Sequence, residues 1–231
     1  MDGDQTVEIN HLGLILDGNR RWAKANGLPT FQGHAKGYEN LKTIIKEAVH
    51  QGVKYITAYV FSTENWERTE KEVNYLMKLA LKIATKDIAQ LHKDNIKVIF
   101  IGSRDRLSSK LALAIAKAEE LTKKNTAATV GLCFNYGGQS EIIDAVNKSC
   151  QQREIPEISK NDFEQLLYSK DFPDLDMIIR TSGEMRLSGF MLYKAAYAEL
   201  FFNNKYWPDF DKNDLNDAIN EYKNRIRRFG K

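Results

Sequence analysis

Hydrophobic residues along the chain follow two alternating patterns, short uninterrupted runs and longer stretches with helical spacing. The short runs are rich in β-branched and aromatic residues and predict buried strands at 11–16, 53–61, 96–101, 129–134, 175–179 and 198–202. The longer stretches repeat an apolar residue every three or four positions and predict helices at about 36–50, 71–93, 111–123, 141–149 and 211–227. This alternation predicts an α/β fold, a single domain with a central, mostly parallel β-sheet wrapped by helices.

Length, charge and composition narrow the class of protein. The chain has 231 residues, which suits one domain over 1–231, and its 34 basic and 31 acidic side chains leave a net charge of only +3. Proteins that bind nucleic acid usually carry a strong basic excess, so no nucleic-acid partner is expected. Two cysteines cannot build a disulfide framework, the first ten residues do not form a secretory signal, and no apolar run reaches the ~20 residues of a membrane span. We therefore expect a cytoplasmic protein.

Parallel α/β sheets bind ligands beyond the carboxyl ends of their strands, and the segment 17–22 (DGNRRW) directly follows the first predicted strand. A glycine turn that opens a helix presents free N–H groups suited to phosphate, and Arg20 and Arg21 would add charge-assisted hydrogen bonds. Asp17 could hold a hard cation such as Mg²⁺. The alternative is an ordinary Asp-Gly turn followed by a solvated basic helix.

Two further polar segments also follow predicted strands. The segment 61–68 (FSTENWER) places polar side chains between two aromatic residues and could line a site for a substrate with an apolar tail. It could equally be a connecting loop in which Trp66 covers the core. In 180–188 two arginines, hydroxyls and a glycine could fold around one anion, because the guanidinium fork matches phosphate oxygens. A structural Arg–Glu pair is the competing interpretation.

The remaining candidates are a basic C-terminal tail at 225–231 and a lone histidine, His34. The tail fits either a solvated helix end or a functional extension, and His34 either a phosphate contact or an ordinary capping residue. The sequence contains no zinc-ligand spacing, Walker A motif, GxGxxG fingerprint or GxSxG elbow. Nucleotide-binding and serine-hydrolase motifs are therefore not supported.

Taken together, these segments resemble the cis-prenyltransferases, the family that includes undecaprenyl diphosphate synthase. The resemblance rests on DGNRRWA at 17–23, GH at 33–34, FSTENWER at 61–68, NYGG at 135–138, RTSGEMRLSGF at 180–190, YAELFF at 197–202, WPDF at 207–210 and RRFG at 227–230. Each block alone is weak evidence, but the ordered set spans nearly the whole chain and is highly specific.

The resemblance implies a chain-elongating enzyme. Members of the family condense isopentenyl diphosphate onto an allylic diphosphate, usually farnesyl diphosphate, releasing diphosphate and giving a Z-polyprenyl diphosphate. They require Mg²⁺, and an apolar substrate tunnel holds the growing chain beside the sheet. A homodimer is also expected, with peripheral membrane contact through the lipid product.

The resemblance also assigns roles to individual residues. Asp17 and Glu199 would hold Mg²⁺, and Asp17, Asn19, Asn65 and Arg68 would be the catalytic residues. The allylic diphosphate would be bound by Gly18, Asn19, Arg20, Arg21, Trp22 and His34, and isopentenyl diphosphate by Arg180, Arg186 and Ser188. Ser62, Glu64, Asn65, Trp66 and Arg68 would lie beside the reacting carbons. The tail with Arg228 would reach the site of a partner subunit.

Two positions depart from the family pattern. Thr30 stands where many members have an arginine, and Arg20 could supply the missing charge. Met185 stands where bacterial undecaprenyl diphosphate synthases often have histidine, and it offers no polar contact there. The alternative function is a non-catalytic partner subunit of a heteromeric cis-prenyltransferase, but an inert chain would be expected to lose Asp17 or the substrate arginines.

Overall fold

Six strands form one parallel sheet in the computed structural model, which describes residues 8–152 and 157–225. The strands are β1 His11–Ile15, β2 Tyr55–Ser62, β3 Ile96–Ile101, β4 Ala128–Tyr136, β5 Met177–Arg180 and β6 Glu199–Phe202. They pair in the order β3-β4-β2-β1-β5-β6, with every pair of neighbours parallel. The parallel sheet predicted from the apolar runs is confirmed, and β1 lies in its interior with all five residues buried.

Helices connect the strands and cover the sheet. Their bounds are α1 Asn19–Ala25, α2 Thr30–His50, α3 Glu70–Lys82, α4 Ile88–Lys93, α5 Ser109–Thr122, α6 Gly138–Gln152, α7 Lys160–Leu166 and α8 Lys212–Asn224. A wide helical turn, Ile83–Asp87, joins α3 to α4, so the single helix predicted at 71–93 is confirmed as one continuous segment. α2 begins six residues before the predicted 36, directly after Pro29. The sequence prediction missed α7, because seven residues are too few to show a repeating apolar pattern.

Apolar side chains pack on both faces of the sheet. The larger core includes Ile44 of α2, Leu76 of α3 and Leu215 of α8, all packed with alternate residues of the strands. The smaller core forms around Phe172 and Phe190. Burial on both faces explains why the strands appear in the sequence as continuous apolar runs rather than as alternating ones.

Both cysteines are free, Cys133 buried within β4 and Cys150 exposed on α6. The expectation that no disulfide framework holds this fold together is therefore confirmed.

Within the described ranges, no helix combines the length and the apolar character needed to cross a membrane.

Two glycines on α2 form a groove that receives the start of α1. A Cβ atom at Gly33 would lie 2.0 Å from the backbone oxygen of Asn19, and one at Gly37 would lie 2.0 Å from Asn19 Oδ1. Both distances are far inside van der Waals contact, so only glycine allows α1 to approach α2 this closely. The Gly-His pair at 33–34 is therefore first a packing device, which sets α1 and its preceding loop against α2.

Replacing Gly33 by Ala is expected to destabilise the protein by roughly 1–3 kcal/mol, because the added methyl collides with backbone that cannot swing away. Helix propensity alone would predict the opposite sign, a gain of about 1 kcal/mol. Urea unfolding followed by circular dichroism measures the difference.

Gly27→Ala is the control, because a Cβ there meets open space and only its positive φ is unfavourable. A Gly33→Ala variant as stable as the wild type would contradict the close packing of α1 on α2.

Candidate active site

The register of two neighbouring strands brings the first and third polar segments together. Ile15 of β1 pairs with Arg180 of β5, and Asp17 follows two residues later at the same carboxyl edge. Arg180 Nη2 donates to Asp17 Oδ2 at 2.9 Å, and Arg180 Nη1 donates to Ser188 Oγ at 2.8 Å. The Arg180 side chain is only 5% exposed, so one buried guanidinium joins the two segments.

Asp17 is held in its ionised form by two arginines. Arg21 Nη2 lies 3.1 Å from Asp17 Oδ1, on the opposite side of the carboxylate from Arg180. Burial raises the pKa of Asp17, but the hydrogen bond and charge of Arg180, with the charge of Arg21, outweigh it and hold the pKa below its ordinary value. An ionised carboxylate therefore stands at the carboxyl edge of the sheet.

Polar atoms without partners concentrate beside this ion pair. Among the described residues, Asn19 Oδ1, Arg180 Nε and Ser182 Oγ are buried and form no hydrogen bond. Gly18 has a φ of +103°, and a Cβ there would meet Ser182 Oγ at 2.9 Å, whereas Asn19 Oδ1 faces Gly37 on α2. Buried polar atoms usually find partners, because leaving them unpaired is costly. Their grouping indicates a place where a polar ligand completes the hydrogen bonds.

A second group of charges comes from four separate segments. His34 Nε2 and Arg68 Nη1 lie 3.0 and 2.9 Å from Glu72 Oε1, and Arg20 Nε lies 3.9 Å from Glu72 Oε2. Burial lowers the pKa of His34, and the hydrogen bond that His34 donates to Glu72 only partly offsets this. Sequence analysis missed Glu72, although its spacing from Arg68, i to i+4, is a recognisable ion-pair signal.

These groups line one cavity of about 850 Å³ with a polar mouth and apolar walls. Eleven of the predicted site residues that the structure describes lie on it: Asp17, Gly18, Asn19, Arg20, Arg21, His34, Ser62, Asn65, Arg68, Arg180 and Ser188. Thr30, at the start of α2, also lines the cavity, and the role of Arg20 as a replacement for the missing arginine stays a prediction. The apolar wall comes from α2, α3 and β2, with Leu41, Val60, Leu76, Leu79 and Ile83. The structure thus joins charged groups and apolar surface in one continuous space.

The two predicted tryptophans do not line this cavity. Trp22 Nε1 donates to Asp209 Oδ1 at 2.7 Å, and Trp66 Nε1 donates to Asn135 Oδ1 at 2.7 Å. The guanidinium of Arg106 covers the Trp66 ring at 4.3 Å from its centroid. Each indole N–H needs an acceptor, which Asp209 and Asn135 supply, and the Trp66 ring packs against Phe61 of the larger core. Direct substrate contact by either tryptophan stays a prediction.

Two charged residues predicted to touch substrate also lie off the cavity wall. Glu64 is exposed and accepts a hydrogen bond from Thr63 Oγ1 at 3.1 Å. Arg186 Nη1 pairs with Glu184 Oε2 at 2.6 Å, and Glu184 Oε1 pairs with Arg21 Nη1 at 2.8 Å. Glu184 thus links Arg186 to Arg21, but this arginine–glutamate pair is 59% and 29% exposed, so segment 180–188 does not contain the pair in the buried form weighed as the alternative.

Glu199 and Asp17 do not share a site within one chain. Glu199 pairs in register with Met177, three residues before Arg180, which is roughly 10 Å back along the strand from the Asp17 edge. Arg225 Nη1 binds Glu199 Oε2 there at 2.8 Å. The predicted metal pair is thus separated, because parallel strands place Glu199 near the amino end of the sheet. Arg228 lies outside the described residues.

Without Glu199, the donor atoms at Asp17 still fit a Mg²⁺ ion. No cluster of three or more histidine, cysteine or carboxylate side chains occurs in residues 8–152 and 157–225. Mg²⁺ does not need such a cluster, since proteins usually hold it through one or two carboxylates together with substrate phosphates and water. The ionised Asp17 carboxylate, 28% exposed beside the unpaired polar atoms, meets this requirement.

Comparison with known proteins decides the family. The family model described as “Putative undecaprenyl diphosphate synthase” matches residues 15–230. The chain belongs to this prenyltransferase family. It is similar to the isoprenyl transferase of Clostridium perfringens, with 45% identity over 225 residues, 95% of this chain and 89% of that protein. It is also similar to a ditrans,polycis-undecaprenyl-diphosphate synthase ((2E,6E)-farnesyl-diphosphate specific) of Vibrio cholerae, with 42% identity, covering 98% and 92% of the two chains.

The fold of this prenyltransferase is also found among solved structures. The lavandulyl diphosphate synthase of Lavandula x intermedia, determined in complex with dimethylallyl diphosphate, matches it with a TM-score of 0.92. The two chains are 35% identical, and the match covers 96% of this chain and 98% of the other. The resemblance and the fold class inferred from the sequence are both confirmed.

Replacing Arg180 by Gln is expected to raise the pKa of Asp17, because burial then acts without its main counter-charge. In the wild type the pKa lies below the ordinary 3.8, so ionised Asp17 stabilises the fold above that pH. This contribution is lost as the pH falls through the lower folded-state pKa. In Arg180→Gln the loss begins at a higher pH. Carbon-13 NMR of the carboxyl groups, with acid unfolding, measures both shifts.

Arg21→Gln is the matched variant, because its side chain is 42% exposed against 5% for Arg180. We expect a smaller increase in the same direction, since solvent screens the more exposed charge. If the pKa of Asp17 is the same in both variants and in the wild type, neither arginine sets it.

Proposed function

We propose that this prenyltransferase is a Mg²⁺-dependent cis-prenyl chain elongase, which condenses isopentenyl diphosphate onto an allylic diphosphate to give a Z-polyprenyl diphosphate. The observation that carries the proposal is the single cavity with a cationic mouth and apolar walls. A diphosphate ester with an isoprenoid chain has the same division, a charged head and an apolar tail. We propose that residues 1–231 act as one catalytic domain.

In the proposed reaction the bond between the allylic carbon and its diphosphate breaks, and that carbon bonds to isopentenyl diphosphate. A proton then leaves the isopentenyl part, and the diphosphate departs as an anion. Negative charge grows on the departing group, so fixed donors aimed at it lower the barrier. Arg20, Arg21 and His34 lie on the cavity wall and are the proposed donors, together with the backbone of Gly18 and Asn19.

The second diphosphate is proposed to bind at the buried guanidinium. Arg180 and Ser188 both line the cavity, and Arg180 Nε forms no hydrogen bond with any described residue. Ser62, Asn65 and Arg68 also line the cavity. In the sequence they come after Arg20, Arg21 and His34 and before Arg180. This arrangement supports the proposal that Asn19, Asn65 and Arg68 act beside the reacting carbons.

The proposed metal ligand is Asp17. Bound Mg²⁺ would neutralise charge on the diphosphate and so make it a better leaving group. Asp17 is ionised because Arg180 and Arg21 lower its pKa, which keeps a negative ligand available at neutral pH. In the described part of the chain its Oδ atoms contact Arg180 and Arg21, and a diphosphate would offer these arginines an alternative partner.

Farnesyl diphosphate is the proposed primer. The Vibrio cholerae relative is named as specific for (2E,6E)-farnesyl diphosphate. The apolar part of the cavity, which reaches Leu41, Leu79 and Ile83, supports a primer with a long tail. We further propose a cytoplasmic enzyme with peripheral membrane contact through its lipid product, and no nucleic-acid partner. Retention of Asp17 and Arg180 disfavours the alternative of a non-catalytic subunit.

A homodimer is proposed from the position of Arg225, the last residue that the structure describes. Arg225 binds Glu199 at 2.8 Å, so the chain after residue 225 leaves the described structure next to Glu199. This point is at the amino end of β6, away from Asp17 of the same chain. A second copy that received the tail would receive Glu199 with it. We propose that Arg228 and Glu199 both serve the partner subunit's site.

Asp17→Ala is expected to lower kcat by roughly 10²–10³-fold, because a group that stabilises transition-state charge is lost. The assay incubates the protein with labelled isopentenyl diphosphate, Mg²⁺ and, separately, dimethylallyl, geranyl and farnesyl diphosphates, and then sizes the products. Asp217→Ala, an exposed carboxylate on α8, is the control and should keep full activity. Absence of Mg²⁺-dependent condensation with every primer would reject the enzyme proposal.

Mixing two inactive variants tests the dimer. Asp17→Ala and a chain ending at Arg225 should each be inactive, but their mixture should recover activity. In a mixed dimer, the truncated chain keeps its own Asp17 and receives the tail of the full-length variant. If the tail serves its own chain, no mixed dimer has an intact site and activity stays absent. Asp17→Ala mixed with Glu199→Ala tests the carboxylate by the same logic.

A further inference from the structure

Glu72, in the first turn of α3, contacts three cationic side chains from three other segments. Arg20 belongs to α1, His34 to α2, and Arg68 to the loop that follows the 3₁₀ turn Thr63–Glu67. Their nitrogens lie 3.9, 3.0 and 2.9 Å from the Glu72 carboxylate. One carboxylate therefore links the start of α3 and the loop before it to α1 and α2.

The position of Glu72 differs from that of its partners. The three cations line the cavity, whereas Glu72 is absent from its lining and lies behind them, with its side chain 10% exposed. His34 is 7% exposed and Arg68 27%, so these charges are poorly screened by water. Without a carboxylate, Arg20 and Arg68 would repel each other, and all three side chains would lose a common anchor.

We infer that Glu72 is a positioning residue, which holds Arg20, His34 and Arg68 in place as a counter-ion behind the diphosphate site. The inference rests on the proposed function, since it takes a diphosphate as the anion that these cations bind. It goes beyond that function by assigning the alignment of the cations to a residue that touches neither substrate. Glu72 also fixes Arg20 and His34, in the proposed allylic cradle, relative to Arg68, beside the reacting carbons.

A purely structural alternative exists for a carboxylate at this position. Acidic residues in the first turn of a helix complement its dipole, and Glu70 lies in the same turn as Glu72. Glu70 is exposed. Glu70→Gln is therefore a matched control, because it removes the same charge from the same helix end without touching the cations.

The experiment compares Glu72→Gln with Glu70→Gln, first by calorimetric titration with inorganic diphosphate. Removing the negative charge of Glu72 leaves the cations less neutralised, so diphosphate is expected to bind roughly fivefold more tightly. Turnover with isopentenyl diphosphate and an allylic primer should fall about 10- to 100-fold, because cations without their anchor no longer meet the departing charge in the right geometry. Tighter anion binding combined with slower turnover is not expected from a loss of fold stability.

A third readout is the pKa of His34, measured by NMR of its ring carbon. The charged groups facing His34 are Glu72 from α3, Arg68 from the preceding loop and Arg20 from α1. In Glu72→Gln the only anion of this set is lost, so the pKa of His34 should fall further below its ordinary value. Glu70→Gln should leave this pKa, diphosphate affinity and turnover unchanged. Glu72→Asp, which keeps the charge but shortens its reach, should restore wild-type diphosphate affinity while turnover stays low.

The outcomes separate the two proposals. If wild-type protein binds no inorganic diphosphate, the diphosphate site itself is wrong, and the proposed function fails with it. If the wild type binds diphosphate and Glu72→Gln matches it in affinity, turnover and His34 pKa, the role of Glu72 is overturned while the proposed function stands. Equal effects in Glu72→Gln and Glu70→Gln would also overturn it, in favour of the helix dipole.

Discussion

The ion pair between Arg180 and Asp17 is the contact on which the rest of the site depends. A guanidinium that is only 5% exposed is costly to bury unless its donors are satisfied, and removing one partner of such a pair leaves an uncompensated charge. Asp17, Ser188 and the backbone oxygen of Arg186 accept from Arg180, and Thr181 Oγ1 donates to the Asp17 backbone oxygen at 2.7 Å. Two polar segments separated by more than 160 residues are therefore fixed to each other.

Other basic side chains on the cavity wall also pair with nearby carboxylates, in two small groups. Arg21 contacts both Asp17 and Glu184, while Arg20, His34 and Arg68 converge on Glu72. A net charge of +3 is compatible with strong anion recognition because the positive charge is concentrated at these points and balanced by local carboxylates. In the proposed mechanism a diphosphate binds to basic groups that local carboxylates already neutralise in part, which limits the electrostatic strain of the free protein.

Packing of α1 on α2 connects this chemistry to the fold. Gly33 and Gly37 let Asn19 approach α2 so closely that Arg20, Arg21 and His34 come to line one cavity. The apolar walls of that cavity come mainly from α2 and α3, and Leu41 and Leu76 of these helices also belong to the larger core. The helices that stabilise the sheet thus also form the space proposed to hold the isoprenoid chain, so core packing and substrate binding constrain the same residues.

The amino-acid sequence alone determined the α/β class, the positions of all six strands and most of the cavity mouth. These features follow from local signals, because strands buried on both faces appear as uninterrupted apolar runs, and Asp17 and Arg180 come at the ends of such runs. Tertiary structure decided the strand order and the separation of Glu199 from Asp17. It also decided which residues accept the hydrogen bonds of Trp22 and Trp66, and it brought Arg20, His34 and Arg68 together at Glu72. Each of these depends on which distant segment supplies a hydrogen-bond or charge partner. The sequence shows which polar and charged groups need a hydrogen-bond or charge partner, but only the folded chain determines which partner is close enough to bind.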